Sequence, residues 1–212
     1  MKFNKIIRGN NRQENTKEDL YRVLDAGFLC HISFVYQGKA HSIPTAYGRE
    51  GDIIYIHGST KNHMLNQLLN NDEVCINVTH LDGVVLAQTL FNTSANYRSA
   101  VVYGKAELVS HENEEFLHGL KVITDHIING RWDEVFLGTP SQLKATMLLK
   151  IPIRSASVKI RGGGPQGDEN DYSDTWSGHI PMKLVAQKPI EDLKFNQQHI
   201  QPRSVKKFVK NY

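Results

Sequence analysis

The sequence between residues 28 and 109 is a close succession of short β-type runs divided by glycine-containing turns, which strongly favours antiparallel pairing between neighbouring strands. The first run, residues 28–36, is rich in β-branched and aromatic side chains. Gln37-Gly38 follows as a hairpin turn, and residues 40–47 read as the partner strand. Pro44 interrupts that strand, which predicts an edge, a bulge or a place kept open for something else.

The remaining runs predict a barrel that local hairpins and one short helix close. The pattern indicates strands at residues 53–57, 74–79, 84–90, 98–109, 147–153 and 157–161, a helix at 61–70, and turns at Glu50-Gly51-Asp52 and Leu81-Asp82-Gly83. We therefore expect a mainly β fold, a β-barrel with flanking helices.

Three flanking helices carry recognisable start signals. Thr16 can cap a helix with Leu20, Val23 and Leu24 on its apolar face, and Gly27 is placed for a left-handed end. Ser110 can cap a second helix, which ends at Gly130. Thr139-Pro140-Ser141-Gln142 is a capping box with proline at the first helical position.

The composition indicates one globular, cytoplasmic domain with extensions. Of 212 residues, 40% are hydrophobic and 22% charged. Two cysteines, Cys30 and Cys75, are too few for a disulfide framework. We find no secretory signal and no apolar run long enough for a membrane span. We expect an arm at residues 1–15, the barrel domain at 16–182 and a tail at 183–212.

Several familiar functional motifs are missing or incomplete. Gly162-Gly163-Gly164-Pro165-Gln166-Gly167 fits G-x-G-x-x-G, but acidic residues follow it where a dinucleotide site needs a helix, so we interpret residues 162–174 as a loop. The ten histidines form no zinc pattern, and no metal site is expected. The basic tail fits a solvated chain end better than a nucleic-acid interface, because no recognition motif accompanies it.

Three segments could hold a phosphorylated planar ligand. The run from His41 through Ile43, Pro44 and Thr45 could offer a ring unpaired backbone groups. The run His57-Gly58-Ser59-Thr60-Lys61-Asn62-His63 combines a strand end, hydroxyls and cations, which suit an anion. Arg98-Ser99 begins a long strand, where the arginine could bind phosphate with two N–H groups. Each segment also fits a structural role: a proline-guarded edge strand, a capped helix and a surface arginine.

Four runs together resemble the FMN-binding split-barrel proteins. They are Gly27-Phe28-Leu29-Cys30-His31, Ile43-Pro44-Thr45-Ala46-Tyr47-Gly48-Arg49, Tyr55-Ile56-His57-Gly58-Ser59 and Asn96-Tyr97-Arg98-Ser99-Ala100-Val101-Val102-Tyr103-Gly104-Lys105-Ala106. The branch they resemble contains flavin-nucleotide-binding proteins related to pyridoxamine 5′-phosphate oxidase and to nitroimidazole-resistance proteins. The resemblance spans residues 16–182 and includes Trp176-Ser177-Gly178-His179-Ile180-Pro181.

The resemblance implies a six-stranded antiparallel split barrel that forms a homodimer, with FMN at the subunit interface. It implies that Ile43, Pro44 and Thr45 lie along the isoalloxazine edge, and that His57, Ser59, Asn62 and His63 lie near phosphate and ribitol. Arg98 and Ser99 would complete the site. Trp176 would cover the ring from the partner subunit.

The chain departs from pyridoxamine 5′-phosphate oxidase at two places. The oxidase has an Arg-Lys pair near the phosphate, where this chain has Asn62-His63, and histidine is a weaker cation. The oxidase also ends in a basic substrate-binding motif, whereas this chain ends Phe208-Val209-Lys210-Asn211-Tyr212. These differences argue against pyridoxal phosphate synthesis.

Two functions remain open at this point. One is an FMN-dependent oxidoreductase acting on a small molecule such as a nitro compound or quinone, with the flavin supplying the chemistry. The other is a non-catalytic store, carrier or sensor of flavin, haem or deazaflavin. No side chain is identified as a catalytic acid or base.

Overall fold

The computed structural model describes residues 1–7, 9–167, 174–192, 194 and 200–211. Twelve strands occur in these ranges, and they are β1 (Lys2–Phe3), β2 (Gln13–Glu14), β3 (Leu29–Tyr36), β4 (Lys39–Ala46), β5 (Gly48–Glu50), β6 (Ile53–Ser59), β7 (Val74–Leu86), β8 (Ser94–Gly104), β9 (Glu107–Val109), β10 (Thr146–Pro152), β11 (Ser155–Arg161) and β12 (Gly178–Pro181). The α-helices there are α1 (Lys17–Leu24), α2 (His63–Leu69), α3 (Glu114–Ile127), α4 (Pro140–Lys144) and α5 (Arg203–Asn211).

The strands form two sheets. The larger has the order β1-β11-β8-β7-β3-β4, with β12 paired to β7 and β2 paired to β11; the smaller has the order β5-β6-β10-β9. All pairs are antiparallel except β1 with β11. The predicted mainly β architecture with flanking helices is confirmed. The strand count exceeds the expected six: seven of the described strands have seven residues or more, and β1, β2, β5, β9 and β12 are short additions to them.

Alternating apolar residues place one face of the larger sheet against the core. Ile32, Ile76 and Val102 lie opposite one another on β3, β7 and β8, and all three are fully buried. On α1, Leu20, Val23 and Leu24 are also fully buried and join the same cluster. Burying a side chain of this size contributes about 1.5–3 kcal/mol.

The β3–β4 hairpin follows its sequence signal. Gln37 and Gly38 both have positive φ, 50° and 73°, as a type I′ turn requires. Pro44 lies on β4, an edge strand with β3 as its neighbour in the sheet. The edge interpretation of Pro44 is thus confirmed.

The predicted turn at Leu81-Asp82-Gly83 is wrong. β7 runs through these residues, and its pairing with β8 shifts by one residue between Leu81 and Gly83, which is a β-bulge. The extra residue is accommodated inside a strand because β8 pairs with β7 on both sides of it. Glycine is required at 83, where a Cβ would lie 2.7 Å from the carbonyl oxygen of Ile180.

The helix signals are partly confirmed. Thr16 caps α1 and the Thr139 capping box opens α4, as expected. Asn113, rather than Ser110, caps α3 by accepting from the Glu115 N–H, because Ser110 Oγ accepts from Glu112 before the helix begins. Gly27 has no left-handed φ.

The two predicted extensions, the arm at 1–15 and the tail at 183–212, contain regular structure that their composition does not predict. In the arm, β1 and β2 both pair with β11. In the tail, α5 packs on the chain through Ser204, whose N–H donates to Glu134 Oε1 at 3.0 Å. Residues 162–167 form the expected loop, and residues 168–173 of that predicted loop lie outside the described residues. None of the helices in the described ranges is both long and apolar enough to cross a membrane.

Candidate cofactor site

The free edge of β4 offers backbone groups for a ligand. The two-residue turn makes Tyr36 and Lys39 a hydrogen-bonded pair, so alternate residues from Ala40 to Ala46 direct their backbone groups away from β3. The bond from the Tyr47 N–H to the Phe28 oxygen, 3.0 Å, has the same phase. Pro44 falls on an outward position, where its missing N–H removes no ladder bond. The outward groups next to it are the N–H and C=O of Ser42.

The side chains predicted on β4 divide between its two faces. His41, Ile43 and Thr45 pair with Phe34, Ile32 and Cys30, so they share the core-facing side. Pro44 is exposed on the opposite side. The N–H groups of Ile43 and Thr45 belong to the ladder with β3, so an in-plane contact at this edge must use the Pro44 carbonyl or the outward backbone groups of Ala40, Ser42 and Ala46.

The turn between β6 and α2 brings several predicted residues together. Ser59 Oγ accepts from the Lys61 N–H at 3.2 Å, and Asn62 Oδ1 caps α2 by accepting from the Leu65 N–H at 3.2 Å. Ser59 keeps its hydroxyl proton as a donor, and Asn62 keeps its amide N–H₂. Lys61 is exposed and has no ion pair within the described ranges. This turn can therefore donate hydrogen bonds and supply positive charge.

Tyr36 connects the two segments, and sequence reasoning missed it. Its ring meets the His63 ring edge-on, with centroids 4.7 Å apart, and the His41 ring at 6.0 Å. His41 also stacks on Phe34 at 5.4 Å. The available signal was the aromatic residue immediately before the Gln37-Gly38 turn. The structure thus gathers His41, His63 and the turn after β6 at one end of the β3–β4 hairpin.

His57 lies on β6, on the strand face opposite the buried Ile56. Desolvation by the surrounding chain lowers the pKa of His57, although the residue is exposed to solvent. A neutral imidazole near pH 7 can accept or donate one hydrogen bond but adds no charge for a phosphate.

Arg98 is engaged by a residue that sequence reasoning assigned to a turn. Its Nε and Nη2 both donate to the Asp82 carboxylate, each at 2.8 Å. The hydrogen bonds from Arg98 lower the pKa of Asp82, and they raise the pKa of Arg98. Gly83 inside an apolar β run was the signal for a bulge, which would have kept Asp82 within the strand. Ser99 Oγ donates to the Lys159 carbonyl at 3.4 Å.

Trp176 lies next to β12, beside the far half of β7. Its side chain is 63% exposed. The ring packs on Gly178, where a Cβ would approach two ring carbons to 2.8 Å. Gly178 in turn pairs with Leu86.

The predicted residues therefore form two separate groups in one chain. β8 lies three strand spacings from β4, roughly 14 Å along the sheet. The register puts Ser99 level with Ala46, which is five residues, roughly 17 Å, from His41. Arg98, Ser99 and Trp176 are thus too far from His41 and His63 for one fused three-ring ligand to reach both groups. The first group combines a free strand edge with hydroxyl and cationic side chains, a donor set that suits a phosphorylated ring.

The described residues offer no comparable cluster for a metal ion. In the part of the chain that the structure describes, no three histidine, cysteine, aspartate or glutamate side chains lie close enough to hold an ion.

Comparison with known proteins gives a family match over most of the chain. Residues 16–160 match the family model described as pyridoxamine 5′-phosphate oxidase. No curated protein matches the sequence significantly.

Solved structures include two extensive matches. The flavocytochrome Anf3 from Azotobacter vinelandii is 30% identical, with a TM-score of 0.89 over 95% of this chain and 94% of its own. The FAD and heme binding protein from Mycobacterium smegmatis is 31% identical, with a TM-score of 0.86 over 92% of this chain and 96% of its own. A putative 5-nitroimidazole antibiotic resistance protein from Bacteroides thetaiotaomicron shares the fold at 20% identity and a TM-score of 0.60, over 70% of this chain and 86% of its own.

Proposed function

Because the chain belongs to the pyridoxamine 5′-phosphate oxidase family, we propose that it binds a flavin at a composite site formed by two copies of the chain. The observation that carries this proposal is the separation of the candidate residues into two groups. A two-fold dimer would place the Arg98–Trp176 group of one copy beside the His41–His63 group of the other.

The chemical groups of the first cluster, His41 to His63, match those that a flavin needs. The free edge of β4 offers alternating donors and acceptors for the ring, and Ser59, Lys61 and His63 offer a hydroxyl and cations for a phosphate. When bound, the flavin supplies electron or hydride transfer, while the chain binds it and covers its ring. We propose an oxidoreductase with a small-molecule substrate.

The resemblance of the sequence favours FMN, whereas the Mycobacterium smegmatis relative is an FAD and heme binding protein. Haem is a second candidate ligand, because one relative is a flavocytochrome and because His41 and His63 both flank Tyr36. Visible absorption of the purified protein distinguishes these ligands. Retained flavin bands support a flavin, whose release by denaturation and chromatography identifies FMN or FAD; a Soret band supports haem.

Complementation tests the composite site directly. We expect Ser59→Ala/His63→Ala and Trp176→Ala each to weaken flavin binding. After mixed refolding, half of the dimers would be heterodimers that carry one intact site, so about one quarter of all sites should recover wild-type affinity. A mixture that shows only the two weakened affinities would contradict the proposal, and ordinary binding by a monomer would do so as well.

A further inference from the structure

The Arg98–Asp82 ion pair lies at the β-bulge of β7, where three strands meet. The Asp82 side chain is held by β8 through both N–H groups of Arg98. The Asp82 main chain contacts the segment after β12, since its carbonyl accepts from the Met182 N–H at 2.9 Å. One residue thus connects the central sheet to the β12 segment.

The position of β12 depends on this bulge. β12 has four residues, and within the described chain its sheet partner is β7, from Gly83 opposite Pro181 to Leu86 opposite Gly178. The pairing begins immediately after the bulge, and Gly83 admits the Ile180 carbonyl at a distance that excludes any side chain. A change in the bulge is therefore expected to shift β12 along β7 or away from it.

β12 in turn fixes Trp176. The Trp176 ring rests on Gly178, the first residue of β12, and Gly178 and Ile180 share one face of that strand. Ile180 on that face is 52% exposed. The indole is therefore placed by the strand that follows it.

We infer that Asp82 is a positioning residue of the proposed cofactor site: with Arg98 it fixes the β7 bulge, and through β12 it holds Trp176 where the indole covers the flavin. This inference rests on the proposed function. It replaces the sequence-based role of Arg98 as a phosphate ligand, because the Asp82 carboxylate already takes two of the five guanidinium N–H groups and balances the positive charge that would attract a phosphate.

The two roles of Arg98 predict opposite results for Asp82→Asn. If Arg98 binds phosphate, removing the competing carboxylate tightens FMN and FAD but not riboflavin, which has no phosphate. If the pair positions Trp176, the substitution weakens all three flavins by the same factor. We expect the second result, with a loss of about tenfold, or about 1.4 kcal/mol.

The matched control is Asp25→Asn. Asp25 also receives two bonds from one arginine, with Arg49 Nε at 2.7 Å from Oδ1 and Nη2 bonded to Oδ2, but it lies beside α1 and away from β12. We expect this control to leave all three affinities unchanged. If Asp82→Asn does not fold, Arg98→Lys, which keeps the charge and loses the fork, takes its place.

Two further measurements separate positioning from general stability. Amide exchange at Met182, in protein without flavin, should accelerate in Asp82→Asn and not in Asp25→Asn. In a Trp132→Phe background, quenching of Trp176 fluorescence by saturating riboflavin should fall. Unchanged exchange at Met182, or tighter FMN with unchanged riboflavin, would overturn the inference. Wild-type protein that binds none of the flavins would refute the proposed function, and the exchange measurement would still decide whether the ion pair holds β12.

Discussion

Replacing Gly48 with alanine tests how closely β5 packs on α3. Gly48 pairs with Tyr55 of β6, and its Cα faces the middle of α3. A Cβ there would lie 2.6 Å from Ile123 Cα, 2.7 Å from Ile123 N and 2.8 Å from the Val122 carbonyl carbon. All three neighbours are backbone atoms, so no side-chain rotation can relieve the overlap.

The cost follows from the required displacement. Ordinary contact begins at 3.4 Å, so α3 and β5 must separate by about 0.8 Å. Such a shift loosens the packing of the buried Ile123 and strains both backbones, which typically costs about 1–3 kcal/mol. For a chain of this length, each 1 kcal/mol lowers Tm by about 2–4 °C. We expect Gly48→Ala to lower Tm by about 2–12 °C.

Thermal unfolding followed by circular dichroism measures the effect, and Gly162→Ala is the matched control. Gly162 has no positive φ, and a Cβ there would meet nothing within 4 Å, so its substitution should change Tm by less than about 2 °C. Equal Tm values for the two variants would refute the close packing of β5 on α3.

The remaining predictions concern a carboxylate and two thiols. Bonds from Ser204, followed by Arg131, hold the pKa of Glu134 below its ordinary 4.5, so the docking of α5 is stabilised above pH 4.5 and lost as pH falls through the lowered value. The protection factors of the α5 amides, which correct for the slower intrinsic exchange in acid, should fall on acidification, and Glu134→Gln should remove that pH dependence. Burial raises the pKa of Cys30 to about 12. A maleimide at pH 8 should therefore label the half-buried Cys75 first and Cys30 only after unfolding. Equal labelling of the two thiols in the folded protein would contradict this prediction.

Local signals in the sequence were sufficient where the chain's nearest neighbours decide the structure. The Gln37-Gly38 turn, the Thr16 cap and the Thr139 capping box each depend on a few consecutive residues, and each was predicted correctly. The bulge at Asp82 was missed because its geometry depends on β8 and β12, which lie elsewhere in the chain.

The candidate site shows the same division. Sequence identified His41 and His63 separately, and the fold brings them to Tyr36, whose part depends on a contact between β3 and α2. It also identified Arg98 as a candidate phosphate ligand, although pairing across the sheet supplies the carboxylate of Asp82. Charge alone could not show that this arginine already has a partner.

The pairing of β1 and β2 with β11 has a consequence for synthesis on the ribosome. Asn4 donates through its amide to Ser155 Oγ, a contact between residues 151 positions apart. While the chain is being made, β1 and β2 must wait for β11 to leave the exit tunnel, and the edge of β8 that β11 later covers stays open for the same interval. The nascent chain is therefore most exposed to strand-to-strand association just before β11 emerges, when the β3–β8 hairpins are already complete.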